Sequence, residues 1–185
     1  IVFGYRRDTT YPLVFEATNW ERGVLFGAAI SVQHGDTITR YPFGSGQYIC
    51  YDVHEYLQHW LQMRQQAGYN IPKTFVVNWF RKGSDGQYLW PGYDENSRIL
   101  KWIFQRISNM GKVVKTCLGY VPPVSGIDLR GLDLSLENVK KGLTVDKNEV
   151  KQELQSIKDY YANLGHKSLP QGLIDEIDAI LKELS

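Results

Sequence analysis

The segment from Asn78 to Arg98, NWFRKGSDGQYLWPGYDENSR, places the tightest restriction on what this chain can fold into. It gathers Trp79, Phe80, Tyr88, Trp90 and Tyr93 and interrupts them with Gly83, Asp85-Gly86 and Pro91-Gly92. Such residues form turns, so the stretch doubles back and its rings converge. A plain hairpin needs fewer aromatics. Rings at 80, 88 and 93 brought together by two turns can make a slot that stacks a flat heteroaromatic ring on both faces, each stacked ring contributing roughly 1–3 kcal/mol. Asn96, just past the second turn, offers both a donor and an acceptor to a base edge. An aromatic core cluster around a hairpin accounts for the same residues equally well.

The flanking sequence predicts mixed strands and helices. Lys73 to Phe80 (KTFVVNWF) reads as a central strand, and Asp94 to Ile107 as a largely buried helix with Ile99, Leu100, Trp102, Ile103, Phe104 and Ile107 on its apolar face. Asp94 or Ser97 is the expected cap. Ile1 to Arg6 and Leu13 to Ala17 read as short buried strands around the turn Arg7-Asp8-Thr9-Thr10, and Asn19 to Ile30 as a helix in which Gly23 and Gly27 permit close packing. Ser31 to Arg40 (SVQHGDTITR) reads as a polar surface loop. Asp52 opens a helix that Gly68 closes. Val113 to Val121 is expected to be one strand, and Gly126 to Gly142 irregular. Asp146 and Glu149 have capping-box spacing before a helix ended by Gly165, and Pro170 starts the last helix. The order predicts an α/β fold: a mixed sheet with packed helices and a helical C-terminal tail over 146–185.

Composition removes several classes. The 21 basic and 20 acidic residues nearly balance, so bulk charge favours neither nucleic acid nor a membrane surface. Apolar runs such as GVLFGAAI fall short of the roughly 20 residues needed to span a bilayer. Cys50 and Cys117, far apart and without a CxxC, fit a reducing, cytoplasmic setting better than a disulfide. The opening IVFGYRR begins inside an expected strand without an initiator Met, which predicts a piece of a larger protein.

No GxxxxGK[ST], HExxH, GxSxG or GxGxxG occurs. His54 and His59 lie off a common helix face and read as ordinary helix residues, so no metal site is expected in this chain. Tyr160-Tyr161 reads as core, and the Lys and Glu of KNEVKQELQSIK as a solvated face. Arg6-Arg7, at the end of a buried strand, suits a bidentate grip on phosphate or carboxylate. A surface salt bridge to Asp8 or Glu16 is the commoner use of such a pair.

Taken together, NWFRK, LWPG and ENSR resemble the signature of the GTP-dependent phosphoenolpyruvate carboxykinases, in their C-terminal part. IVFGYRR, PLVFEATNWERGVLFGAA, YLQHWL, LGYVP and the Leu169-Pro170 pair extend the resemblance, in order, over essentially all 185 residues. It implies the nucleotide-binding part, 1–185, of a two-lobed, P-loop-type enzyme that turns oxaloacetate and GTP into phosphoenolpyruvate, GDP and CO2 in gluconeogenesis. It implies guanine held by Phe80, Tyr88, Tyr93 and Asn96, and Arg7 as the catalytic arginine that contacts transferring phosphoryl oxygens. The implied Mn or Mg ion, the phosphate loop and the main oxaloacetate ligands belong upstream of this chain, which alone should be inactive. The intact enzyme is expected to be a cytoplasmic monomer. Three features depart from the family pattern: Tyr5 replaces a Gly beside Arg7, Tyr88 and Tyr93 replace Phe, and the 31–40 loop, matching a mobile lid, is several residues shorter. A pyrophosphate-dependent relative and a non-catalytic nucleotide-binding module remain the alternatives.

Overall fold

The structure, a computed structural model, describes residues 1–45, 49–164 and 169–184. Its centre is a mixed five-stranded sheet in the order β1-β5-β2-β7-β6, built from β1 (Val2–Gly4), β2 (Val14–Glu16), β5 (Phe75–Val77), β6 (Val114–Lys115) and β7 (Tyr120–Val121). β1 runs parallel to β5, with Val2 opposite Phe75, while β2 runs antiparallel to both β5 and β7. β2 and β5 are buried at every position, because layers of helix cover both faces. Their side chains alternate accordingly. Phe15 and Val76 enter one core with Leu25, Phe26, Leu57, Ile157, Leu173 and Ile177. Val14, Phe75 and Val77 enter the other with Trp90, Ile99, Trp102, Ile103, Val139 and Leu143.

The first layer holds α1 (Trp20–Ala28), α2 (Val53–Ala67), α5 (Lys147–Asn163) and α6 (Gln171–Leu184). Asn19 and Asp52 cap the first two through the amides of Arg22 and Glu55. The spacing of Gly23 and Gly27 serves packing. A methyl group at these positions would lie 2.6 Å from Thr74 Oγ1 and 2.6 Å from a Phe43 ring carbon, so the helix lies directly against its neighbours. Arg22, buried on α1, holds α6 by donating to Glu176 and, at 3.0 Å, to Glu183. Asp146 caps α5 as expected, accepting from Asn148 and Glu149 at 2.8 and 2.9 Å. The box is not closed, because the Glu149 side chain turns away to accept the Thr10 amide at 2.7 Å. Gly165 lies outside the described residues.

Four expectations need correction. Residues 31–40 form a paired hairpin, β3 (Ser31–His34) with β4 (Thr37–Arg40), joined by the two-residue turn Gly35-Asp36. The β-branched Val32, Thr37, Ile38 and Thr39 favour strand despite the polar composition. The stretch 113–121 is also a hairpin, β6 and β7 folding about Thr116 and Gly119, whose backbones exchange hydrogen bonds. Within 126–142, helix α4 (Leu136–Leu143) begins at Ser135, whose hydroxyl accepts the Asn138 amide at 3.1 Å. α3 (Asn96–Ile107) buries Ile99, Trp102 and Ile103 but leaves Leu100, Phe104 and Ile107 exposed, and neither Asp94 nor Ser97 supplies a side-chain cap. A short turn, Tyr93–Glu95, leads into it instead.

Gly119 joins the second hairpin to the sheet. Its φ is +152°, and a Cβ there would sit 2.2 Å from the carbonyl oxygen of Glu16. Gly119→Ala is therefore expected to lower stability by about 2 kcal/mol or more, read as a reduced urea midpoint with an unchanged slope.

Candidate functional site

The aromatic ribbon leaves the sheet at the end of β5. Asn78, fully buried, fastens this exit: its Oδ1 accepts the Arg7 amide at 3.1 Å, and its Nδ2 donates to the carbonyls of Arg7 and Tyr11 at 2.9 and 3.1 Å. The chain then doubles back, Leu89 donating to the Arg81 carbonyl and Gly83 to that of Gln87, both at 2.8 Å. Lys82 pairs with Tyr88 as an antiparallel bridge. Leu89 and Trp90 plunge into the core, and Pro91-Gly92 turns the chain out again toward α3.

This path encloses a cavity of about 380 Å³ lined by Trp79, Phe80, Tyr88, Trp90, Pro91, Gly92, Tyr93 and Asn96. The four residues expected to bind a base are thus brought together. They do not form a ready-made sandwich. The Phe80 and Tyr88 rings meet edge to face, with centroids 6.1 Å apart and planes at 78°. Tyr93 stands out, 93 % exposed, on a backbone with φ +43°. Trp90, only 3 % exposed, forms the floor and donates its indole N–H to Asn96 Oδ1 at 2.9 Å. The Trp79 indole N–H is buried and has no hydrogen-bond partner among the described residues. A larger cavity of about 760 Å³ lies beside β6, β7 and α4, among Cys117, Pro123, Lys140 and Val145. It lacks convergent aromatic rings, so the smaller cavity is the stronger candidate.

The two adjacent arginines separate completely. Arg6 is exposed, with its guanidinium carbon 4.9 Å from the Phe80 ring centroid, a cation–π contact at the rim of the slot. Arg7 points inward and is 4 % exposed. Its Nη1 donates to Ser31 Oγ at 3.0 Å and lies 2.9 Å from Glu153 Oε2. The surface bridge to Asp8 or Glu16 is absent among the described residues, since Asp8 pairs with Lys82, and Glu16 with Lys73 and Arg106. Arg40, at the base of the β3–β4 hairpin, also donates to Glu153, at 2.9 Å, and the Tyr11 hydroxyl does so at 3.1 Å. Burial, reinforced by Glu153, pushes the Tyr11 phenol well up, so it remains a donor. Two buried guanidinium groups thus share one carboxylate, leaving local positive charge, and the buried Arg7 Nε has no partner among the described residues.

Glu153 was hidden by its neighbours. Most of KNEVKQELQSIK is solvated as expected, but Glu153 falls beside Val150, Leu154 and Ile157 on the buried face of α5. A carboxylate inside an apolar stripe is the signal that locates it. Tyr5 likewise belongs to the core, its hydroxyl donating to the Phe26 carbonyl, and it does not reach the slot.

A mixed α/β domain bearing an aromatic cavity on a glycine-turned ribbon is the class that fold and site define. A family model, the phosphoenolpyruvate carboxykinase C-terminal P-loop domain, matches residues 1–183, and the chain belongs to that family. It is 42 % identical over 192 residues to a protein of Anaeromyxobacter dehalogenans strain 2CP-1 named phosphoenolpyruvate carboxykinase (GTP), covering all of this chain and 32 % of the relative. Proteins of the same name in Thermoplasma volcanium and Corynebacterium kroppenstedtii are 38 % and 41 % identical, over 100 % and 96 % of this chain and 32 % and 30 % of theirs. The chain thus spans about a third of the length of the curated relatives it matches. No described helix is long and apolar enough to cross a membrane, and no cluster of described His, Cys, Asp or Glu side chains fits a metal ion.

The shared carboxylate generates a stability test. Removing it strands two buried guanidinium groups, so Glu153→Ala is expected to cost about 3–5 kcal/mol in chemical denaturation. Asp178→Ala, which breaks the exposed pair with Lys158, is expected to cost under about 1 kcal/mol.

Proposed function

We propose that this chain is the guanine-nucleotide-binding part of a two-lobed enzyme that converts oxaloacetate and GTP into phosphoenolpyruvate, GDP and CO2. The observation that carries the reading is the convergence of Phe80, Tyr88, Tyr93 and Asn96 on one cavity, in a chain whose relatives bear the name of a GTP-dependent carboxykinase. About 380 Å³ falls within the range of small-molecule sites. A purine would stack against the aromatic walls, and the two tyrosine hydroxyls, at the exposed rim, would remain in water. The relatives' name favours GTP over pyrophosphate as donor, since pyrophosphate would leave such a cavity without a ligand ring.

Arg7 is proposed to act on the transferring phosphoryl group. Its unpartnered Nε and the surplus charge around Glu153 support that role, because a phosphoryl oxygen would satisfy the buried donor. Such stabilisation of developing charge is the main protein contribution to phosphoryl transfer. The β3–β4 hairpin is proposed as a short lid over the reacting groups. A divalent ion, Mn or Mg, is proposed to have its ligands elsewhere in the whole protein. The reading places the enzyme in the cytoplasm, in gluconeogenesis, as a monomer.

In the full-length enzyme, Tyr88→Phe and Tyr93→Phe are expected to leave GDP affinity nearly unchanged, whereas Ala at either position weakens it by the roughly 1–3 kcal/mol of a stacked ring. Calorimetric titration measures this. Loss of thermal stability with intact affinity in Tyr93→Ala would assign the rings to packing. Arg7→Ala is expected to reduce kcat far more than it weakens GDP binding, and Arg6→Ala to be milder in kcat. The isolated 185 residues should form no phosphoenolpyruvate.

A further inference from the structure

The bond between Trp90 and Asn96 decides what the slot can read. An indole N–H only donates, so the amide atom facing it must be the oxygen. The 2.9 Å contact therefore engages one lone pair of Asn96 Oδ1 and turns its NH2 group away from Trp90. Trp90 itself cannot readily swing, because it is 3 % exposed and packed in the core that holds Ile99 and Trp102. Asn96 is the first residue of α3, which removes further freedom. One of the two lone pairs on the amide oxygen is thereby committed to Trp90, while both N–H donors lie on the other side.

The geometry points to Trp90 as a positioning residue for base selection: by holding Asn96 Oδ1 on its own side, it fixes the orientation of the slot's side-chain amide so that the N–H donors, on the opposite side, are the ones offered to a base. This rests on the reading that the slot binds a purine nucleotide. A purine with a carbonyl at C6 offers that amide an acceptor, whereas one with an amino group at C6 meets it donor to donor. Leaving a buried polar group unpaired in this way is what gives hydrogen-bonding sites their discrimination. The selection follows from the pinned amide, and the stacking rings would accept either base.

The test uses the full-length enzyme and titrates GDP, IDP and ADP into wild type, Trp90→Phe, Asn96→Ala and the double variant. Phenylalanine keeps most of the apolar floor but has no N–H, so the amide is free to invert. The wild type is expected to favour IDP over ADP, and Trp90→Phe to shrink the ratio of their affinities about tenfold. Asn96→Ala should shrink it equally, with no further change in the double variant. A Trp90→Phe enzyme that retains the wild-type ratio, while Asn96→Ala loses it, overturns the role of Trp90 and leaves the purine reading intact. A wild type that binds none of the three, or does not distinguish IDP from ADP, overturns this inference together with that reading. Should Trp90→Phe fail to fold, Asn96→Ala still provides the measurement. The bond predicts roughly tenfold faster solvent exchange of the Trp90 indole proton in that variant, seen by NMR with labelled tryptophan. Unchanged exchange would show that the indole does not hold the amide, and would overturn the inference.

Discussion

The carboxylate of Glu153 is the point on which distant parts of the chain depend. A lone buried carboxylate would be prohibitively costly, and so would either guanidinium beside it. Together Arg7, Arg40 and Tyr11 satisfy it, and in doing so they join the end of the first strand region, the base of the β3–β4 hairpin and the middle of α5. The partners lie 146, 113 and 142 positions away in sequence. Apolar packing gives the two cores their mass, while this charge cluster specifies how the C-terminal helices dock against the N-terminal strands. Arg22 with Glu176 and Glu183 repeats the device between α1 and α6.

Much of the architecture was legible from local pattern. The aromatic and β-branched run at Phe75–Val77, the Asp52 and Asp146 caps and the apolar stripes of α5 and α6 all declare themselves within a few residues. What escaped depends on partners remote in sequence. The path from Val113 to Val121 reads as one strand because the approach of Gly119 to Glu16 cannot be seen from either residue alone. The hairpin at 31–40 looks like a loop because polar Gln33, His34 and Asp36 obscure its β-branched positions, and only Arg40 reaching Glu153 explains why its base is buried. Glu153 reads as one more solvated charge until Arg7 and Arg40 are known to meet there. At the slot, the sequence located the residues and the turns, but neither the edge-to-face pose of Phe80 and Tyr88 nor the hydrogen bond that commits one side of Asn96.

The ribbon and the arginine pair express opposite solutions to the same constraint. Adjacent residues on an extended backbone point to opposite sides. Arg6 therefore turns toward Phe80 in solvent while Arg7 turns toward Glu153 in the interior, so one dipeptide contributes to both the rim of the slot and the charged core. Asn78 holds the shared backbone between them. The outer part of the ribbon, by contrast, is built at some expense to stability. Tyr93 exposes its ring and occupies a left-handed conformation that costs a non-glycine residue about 1–3 kcal/mol, a combination that packing alone does not require.

The parallel pairing of β1 with β5 bears on how the chain reaches this state. A parallel pair cannot be closed by a tight turn, and here α1, α2 and the β3–β4 hairpin all intervene between Val2 and its partner Phe75. During synthesis β1 therefore emerges well ahead of β5, and this pairing waits until more than seventy further residues have followed. Arg7 waits longer still, since Glu153 follows it by 146 positions. Contacts of such long range make folding slow and leave strand edges open meanwhile. Until β5 pairs, the edge of β1 that it covers is open to chaperones, proteases and association with other copies of the chain.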